Sequence, residues 1–488
     1  MRYCKRPSSF VLWSRHFIFI PLFFLAAPAT VHGAPTAQAE ASVSQLPHST
    51  AFMSLLARGA PYMSTDQLEE FLHQFSSEAA STLPANRRAL QIAPSSFPFA
   101  PEDATDAIAP EAHNGWIDQQ EWRSFASDIG KPGERDQSGS VHVHYVTARG
   151  TGDRGGVVLS VGHGEPVEKY AEQLHDLIVA GFSPVYALDH RGQGRSTRLL
   201  DDDSFKSHVE EAADFVADFR QFVALVDAEM DARSEGGGKR FLHCHSMGCA
   251  VAFTYLIDEY YAQRANVFHA VAANAPLIKP VTDPFPYSVA VTIGRAMVAL
   301  GLGESYPPTK GGSFHELYAF ESSRPDRQNL AYANCHAQHA TSYDAGHTGL
   351  CLGDVTGRFA SEFFGMYDTF ADFTRGSLTV PILLQQARTD EGGSDGVVVN
   401  EPQRTFCTSA CVQCTLTQYP DSAHNIWFET DAVRTPALAE VYAFYNAHGA
   451  SAPPAQSALP RMCHWLEFWC AGEGCGCIWS CSHPASRC

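Results

Sequence analysis

The stretch Arg240-Phe241-Leu242-His243-Cys244-His245-Ser246-Met247-Gly248-Cys249-Ala250-Val251 runs from a β-prone apolar segment, through a serine, into a helix-forming segment. A serine on a sharp strand-to-helix turn is lifted above the edge of a sheet, and small neighbours are needed because the backbone there folds tightly against adjacent strands. The segment therefore reads as a nucleophile elbow of the GxSxG type, with Cys244 in place of the first glycine as a mild enlargement.

Working outward, the same rhythm repeats. Val141 to Val146 alternates like a strand, Gly155 to Gly162 reads as a buried strand, and Glu168 to Ala180 has helical period. Pro184 to Leu188 is a further strand, Glu210 to Met230 a long helix, and the glycines at 236–238 lead into the strand before the elbow. Strand and helix in alternation predict an α/β fold, a mostly parallel sheet covered on both faces. After the strand His269 to Ala273 the rhythm stops. It resumes at Leu378 to Gln385, then a strand at Thr415 to Tyr419 and a helix at Ala432 to Asn446. The interruption is expected to form an inserted domain.

The 488 residues carry a net charge of −19 and are 45% hydrophobic, a globular composition without clustered Lys and Arg for neutralising phosphates, which argues against a nucleic-acid partner. Arg2, Lys5, Arg6 and Arg15 precede an apolar stretch from Phe17 to Ala27 and then small residues, the pattern of a secretory signal, with a signal anchor as the alternative. The divisions expected are a leader over 1–33, a low-complexity spacer or pro-region over 34–137, a core over 138–276, an insertion over 277–377, the rest of the core over 378–448, and a linker with a cysteine-rich tail over 449–488. The six tail cysteines, Cys463, Cys470, Cys475, Cys477, Cys481 and Cys488, read as disulfide partners in an oxidising compartment rather than as zinc ligands.

A serine hydroxyl is a poor nucleophile at neutral pH, so a histidine must take its proton and a carboxylate must hold that histidine in the right tautomer. For a nucleophile elbow the chain order is Ser, acid, His. His424, in Tyr419-Pro420-Asp421-Ser422-Ala423-His424-Asn425, sits between the last strand and the last helix and is the candidate base. The acid comes from the loop after Leu378 to Gln385. Asp390 has the usual distance from the strand, while Asp395 is followed by Gly396-Val397-Val398, whose apolar residues can pack beneath the sheet; Asp395 is preferred and Asp390 stays open. The oxyanion donors expected are the backbone N–H groups of Met247 and of His163, in the Gly162-His163-Gly164-Glu165 turn. Asp189 to Ser196 resembles a phosphate loop but fits neither phosphate-binding pattern, so a scaffold role is expected.

GHGE at 162–165, ALDHRGQGRS at 187–196, HCHSMG at 243–248 and AHNIWFETDAVRTPAL at 423–438 resemble the lysophospholipase/monoacylglycerol lipase branch of the α/β-hydrolases, whose domain is also labelled serine aminopeptidase-like. The resemblance spans roughly Ser138 to His448. It implies an α/β-hydrolase fold, a triad of Ser246, Asp395 or Asp390, and His424, oxyanion donors at His163 and Met247, and a cap over 277–376 shaping an acyl channel. The chain departs from the family at Val161, where the HGxGE motif starts with histidine, at Cys244, and in the acid loop, which carries an insertion over Glu391 to Asp395.

Within the cap, Cys335, His336, His339, Asp344, His347 and Cys351 match no standard zinc spacing, and a Cys335 to Cys351 disulfide is expected instead. Cys407, Cys411 and Cys414 leave at least one thiol unassigned. The sequence thus predicts a secreted serine hydrolase, free of cofactor and metal, cleaving esters of single-chain lipids with transient contact to a membrane or micelle surface. A peptidase or general esterase is the alternative, and a catalytically silent binding protein a further one. Oligomeric state is not legible.

Overall fold

The structure, a computed structural model, describes residues 116–130, 141–201, 205–308, 322, 350, 352–373, 378–390 and 393–450. The expected leader, the tail cysteines and the Cys335 to Cys351 cluster lie outside the described residues, as does most of the expected spacer. Among the described residues eight strands form one sheet: β1 (Glu121–Ala126), β2 (His142–Ala148), β3 (Gly156–Ser160), β4 (Val185–Leu188), β5 (Arg240–His245), β6 (Ala270–Asn274), β7 (Ile382–Gln386) and β8 (Cys414–Gln418). Their spatial order is β1-β2-β4-β3-β5-β6-β7-β8. The first two pairings are antiparallel and the remainder parallel. This is the predicted α/β architecture.

Helices α1 (Ala171–Val179) and α7 (Asp431–His448) cover one face; α2 (Ala212–Arg233), α3 (Met247–Tyr261) and α6 (Asn400–Ser409) cover the other. Apart from half-buried Arg240, the strands β3 to β7 are buried along their length because helices lie on both sides, so they show no alternation of buried and exposed residues. The chain runs from β3 to β4 on one side and to β5 on the other. A crevice therefore opens at the carboxyl ends of β3 and β5, where such sheets place their ligands.

The sheet starts earlier than expected. The sequence reading places 34–137 in a spacer, yet Glu121 to Ala126 pairs with β2 as the edge strand β1. Its signal is weak because among these residues only Phe125 is buried, and an edge strand tolerates charge. Arg123 on it pairs with Glu229 of α2 at 2.8 Å. Helix α6 was also unread; its polar sequence, with Pro402 in the first turn, carries little apolar period.

Between β6 and β7 the described part of the insertion contains α4 (Tyr287–Ala299) and α5 (Gly357–Asp372). Thr356 caps α5 by accepting from the Phe359 N–H. Phe359 and Phe363, one turn apart, stack at 4.5 Å and meet Phe215 of α2, which anchors α5 to the core.

Candidate active site

The site starts with backbone geometry. Ser246 closes β5 at φ 48° and ψ −117°, a conformation that costs an L-residue on the order of 1–3 kcal/mol and persists only where its surroundings enforce it. They do so through hydrogen bonds: the Ser246 N–H donates to the Asn274 carbonyl at 3.1 Å, and its carbonyl accepts from Cys249 at 3.1 Å and Leu277 at 3.0 Å. Gly248 has no alternative here, since a Cβ would stand 2.2 Å from the Ser160 carbonyl oxygen on β3. Cys244 is more than a tolerated enlargement. It is disulfide-bonded to Cys249 in the first turn of α3, so that a covalent link brackets the serine. Cys407 and Cys414 form a second disulfide, leaving Cys411 as the free thiol among the described residues.

The loop after β8 delivers His424, with Nε2 at 2.9 Å from Ser246 Oγ and Nδ1 at 2.8 Å from Asp395 Oδ2. All three residues are buried. An ionised carboxylate only accepts, so Nδ1 carries the proton and the Nε2 lone pair faces the hydroxyl. The other Asp395 oxygen, Oδ1, accepts from the Val397 and Val398 N–H groups at 2.9 and 2.8 Å, which fixes the rotation of the carboxylate. Val398 is fully buried, as the apolar residues after Asp395 suggested. Asp390 lies exposed, and the carboxylate bonded to His424 Nδ1 is that of Asp395. It accepts from the Ser394 N–H at 3.0 Å and shapes the turn that carries Asp395.

The turn after β3 brings His163 to the same edge, and Met247, as the first residue of α3, has one of the N–H groups that a helix start leaves without an intrahelical acceptor. The residues flanking His163 are pinned from outside. Gly162 N–H donates to Glu165 Oε2 at 2.8 Å and Gly164 N–H to Gln193 Oε1 at 2.9 Å, while Gln193 Nε2 returns a bond to the Gly162 carbonyl at 3.1 Å. Glu165 is held in turn by Lys169 and Tyr170, all three buried. The Asp189 to Ser196 loop is thus scaffold for this turn: Asp189 accepts from Val167 and Arg195 N–H groups, and buried Arg191 forks onto Asp218 at 2.6 and 2.8 Å. Burial and the nearby Glu168 carboxylate push the Asp189 pKa up. Gln193, Glu165 and Lys169 were not legible as site residues, because the sequence shows only a Gly-rich loop and an ordinary i,i+4 pair. His163 also packs its ring 4.9 Å from Phe359, bringing α5 to the turn after β3. Among the described residues no group of His, Cys, Asp and Glu is placed to hold a metal.

Three neighbouring histidines are structural. His190 lies 3.0 Å from Ser160 Oγ; His243 bonds Gln173 and Tyr445 and stacks on Trp427; His245 donates from Nδ1 to the Asn274 carbonyl. Burial lowers each pKa from 6.5 to about 3. Between pH 6.5 and 3 the unfolded chain therefore binds protons that the folded one refuses, and stability falls as pH falls through that window. Each histidine contributes a slope of up to about 1.4 kcal/mol per pH unit. Urea unfolding between pH 7.5 and 5 is expected to show a steep loss of stability that His243→Gln reduces; a flat profile contradicts it.

A buried hydroxyl–imidazole–carboxylate line at the carboxyl edge of a mostly parallel, helix-covered sheet, with an inserted cap, defines an α/β-hydrolase. Residues 152–431, more than half of the chain, match the family described as serine aminopeptidase, S33, and the chain belongs to that family of hydrolases. It is 28% identical over 309 residues to lysophospholipase L2 of Escherichia coli K12, covering 60% of this chain and 81% of the relative. It is 30% identical over 165 residues to a monoacylglycerol lipase of Mycolicibacterium smegmatis, covering 34% of this chain and 53% of the relative. A soluble variant of the Saccharomyces cerevisiae monoglyceride lipase, solved with a substrate analog, is similar in fold, with a TM-score of 0.50, 15% identity, and coverage of 68% of this chain and 96% of that one.

Proposed function

We propose that this chain is a serine ester hydrolase acting on single-chain lipids, monoacylglycerols or lysophospholipids, through an acyl-enzyme on Ser246. The observation that carries the reading is the Ser246–His424–Asp395 line with its forced tautomer. Ser246 Oγ attacks the ester carbonyl carbon as His424 Nε2 takes its proton, and Asp395 stabilises the resulting imidazolium. The negative charge on the carbonyl oxygen is met by the N–H groups of Met247 and His163. Collapse expels the glyceryl alkoxide, protonated by His424, and water then enters by the reverse sequence to release the fatty acid.

The lipid preference is supported by the relatives' names and by apolar cap side chains near the oxyanion turn, including Phe359. Export through a leader at 1–33 is part of the proposal, and the disulfides Cys244–Cys249 and Cys407–Cys414 are consistent with an oxidising compartment. Transient contact with a lipid surface follows from the substrate class. The family description favours one second reading, a peptidase. The two separate by chain length. Each buried methylene is worth about 0.8 kcal/mol, so kcat/KM for monoacyl esters is expected to rise roughly fourfold per added carbon until the channel is full. Efficient cleavage of aminoacyl arylamides together with a flat chain-length profile would establish the peptidase instead.

A further inference from the structure

Asn274, the last residue of β6, is fully buried and joins the two segments that carry the nucleophile and the base. Its backbone carbonyl accepts from the Ser246 N–H at 3.1 Å and from His245 Nδ1 at 3.1 Å. Its side chain reaches the other way. Oδ1 accepts from the Ile426 N–H at 3.2 Å, and Nδ2 donates to Asn425 Oδ1 at 2.7 Å. The orientation of the amide is dictated by Ile426, whose N–H can only donate. Asn425 and Ile426 directly follow His424, and Ser246 is itself one of the residues held, so one side chain and its own carbonyl span from nucleophile to base.

We propose that Asn274 is a positioning residue that sets the distance and angle between Ser246 Oγ and His424 Nε2, with Asn425 as its partner. The inference rests on the serine hydrolase reading above. A hydrophobic residue would fill the volume but leave the Ile426 N–H and the Asn425 amide buried without these partners, and the His424 loop would lose its tie to the strand next to the elbow. Small misplacements of reacting groups cost large factors in rate while leaving substrate binding nearly untouched.

The test uses the full chain and three variants, Asn274→Ala, Asn425→Ala and the double, measured by steady-state ester hydrolysis and by the rate of fluorophosphonate labelling, with Ser246→Ala as the control for the labelled site. Asn274→Ala is expected to lower kcat and the labelling rate together by about tenfold to a hundredfold with KM within twofold. Asn425→Ala, which removes one of the two side-chain ties, is expected to lose less, and the double variant to match Asn274→Ala rather than multiply the two effects. Normalising labelling to folded protein by circular dichroism separates rate from stability. Should Asn274→Ala fail to fold, Asn425→Ala carries the test, since its loss must still appear in kcat and not in KM. Labelling of the variants at the wild-type rate, or independent multiplicative losses, overturns the role of Asn274. A wild-type chain that is not labelled at all overturns the serine hydrolase reading and this inference with it.

Discussion

Ser246→Ala is expected to lower the turnover of a monoacyl ester by roughly a million-fold while the protein stays folded. The size follows from what is lost. In the proposed mechanism the hydroxyl oxygen is the atom that becomes acylated, and it is the partner of His424 Nε2 at 2.9 Å, so its removal leaves a base with no nucleophile to activate. In the same proposal the oxyanion donors and the cap remain to orient substrate toward water, and a residual acceleration on the order of a thousandfold over the uncatalysed reaction is expected from them. The fold has little reason to change. Ala keeps the backbone bonds to Asn274, Cys249 and Leu277 that hold the elbow. Ester hydrolysis, circular dichroism and thermal unfolding of the purified variant check both halves of the expectation, and retained activity removes Ser246 from the mechanism.

Asp395→Asn is expected to lower turnover by about ten-thousandfold, and Asp390→Asn by no more than a few-fold. The structure explains why an isosteric change should be so costly. The Val397 and Val398 N–H groups donate to the Oδ1 position and so require an acceptor oxygen there. The amide NH2 must then occupy the Oδ2 position, facing His424 Nδ1 as a donor. That forces Nδ1 to accept and moves the imidazole proton to Nε2, where it confronts the serine hydroxyl as a donor in place of a base. Asn at 390, by contrast, still presents an oxygen to the Ser394 N–H and keeps the turn. Steady-state kinetics on the two variants decides the matter, with the opposite ranking transferring the role to Asp390.

The legibility of these residues differed for physical reasons. The elbow could be read because strand, tight turn and helix are local states whose residue preferences act within a dozen positions, and Gly248 is demanded by a contact of its own backbone with β3. His424 could be read by address, since the turn between the last strand and the last helix reaches the same sheet edge in any parallel sheet of this kind. The preference for Asp395 rested on the apolar residues after it. The feature that orients the carboxylate, however, is the pair of N–H donors at Val397 and Val398, and backbone donors have no residue-type signature. The edge strand β1 was missed because a strand with one buried side chain has almost no hydrophobic period to detect.

What the sequence determined by itself was therefore the layered α/β architecture, the elbow at Ser246 and the segments from which a base and an acid would come. Each depends on hydrophobic period or turn chemistry within a short window. Tertiary structure alone decided which carboxylate faces the imidazole, the pairing of Cys244 with Cys249, the pinning of the turn after β3 by Gln193, and the bridge that Asn274 makes to the His424 loop. Most of these partners come from different elements of the chain, 29 positions apart for Asp395 and His424 and for Gly164 and Gln193, and 151 apart for Asn274 and Asn425. Hydrogen bonds act over about 3 Å and require alignment, so a pairing at such separations exists only once the packing of sheet and helices has fixed both ends.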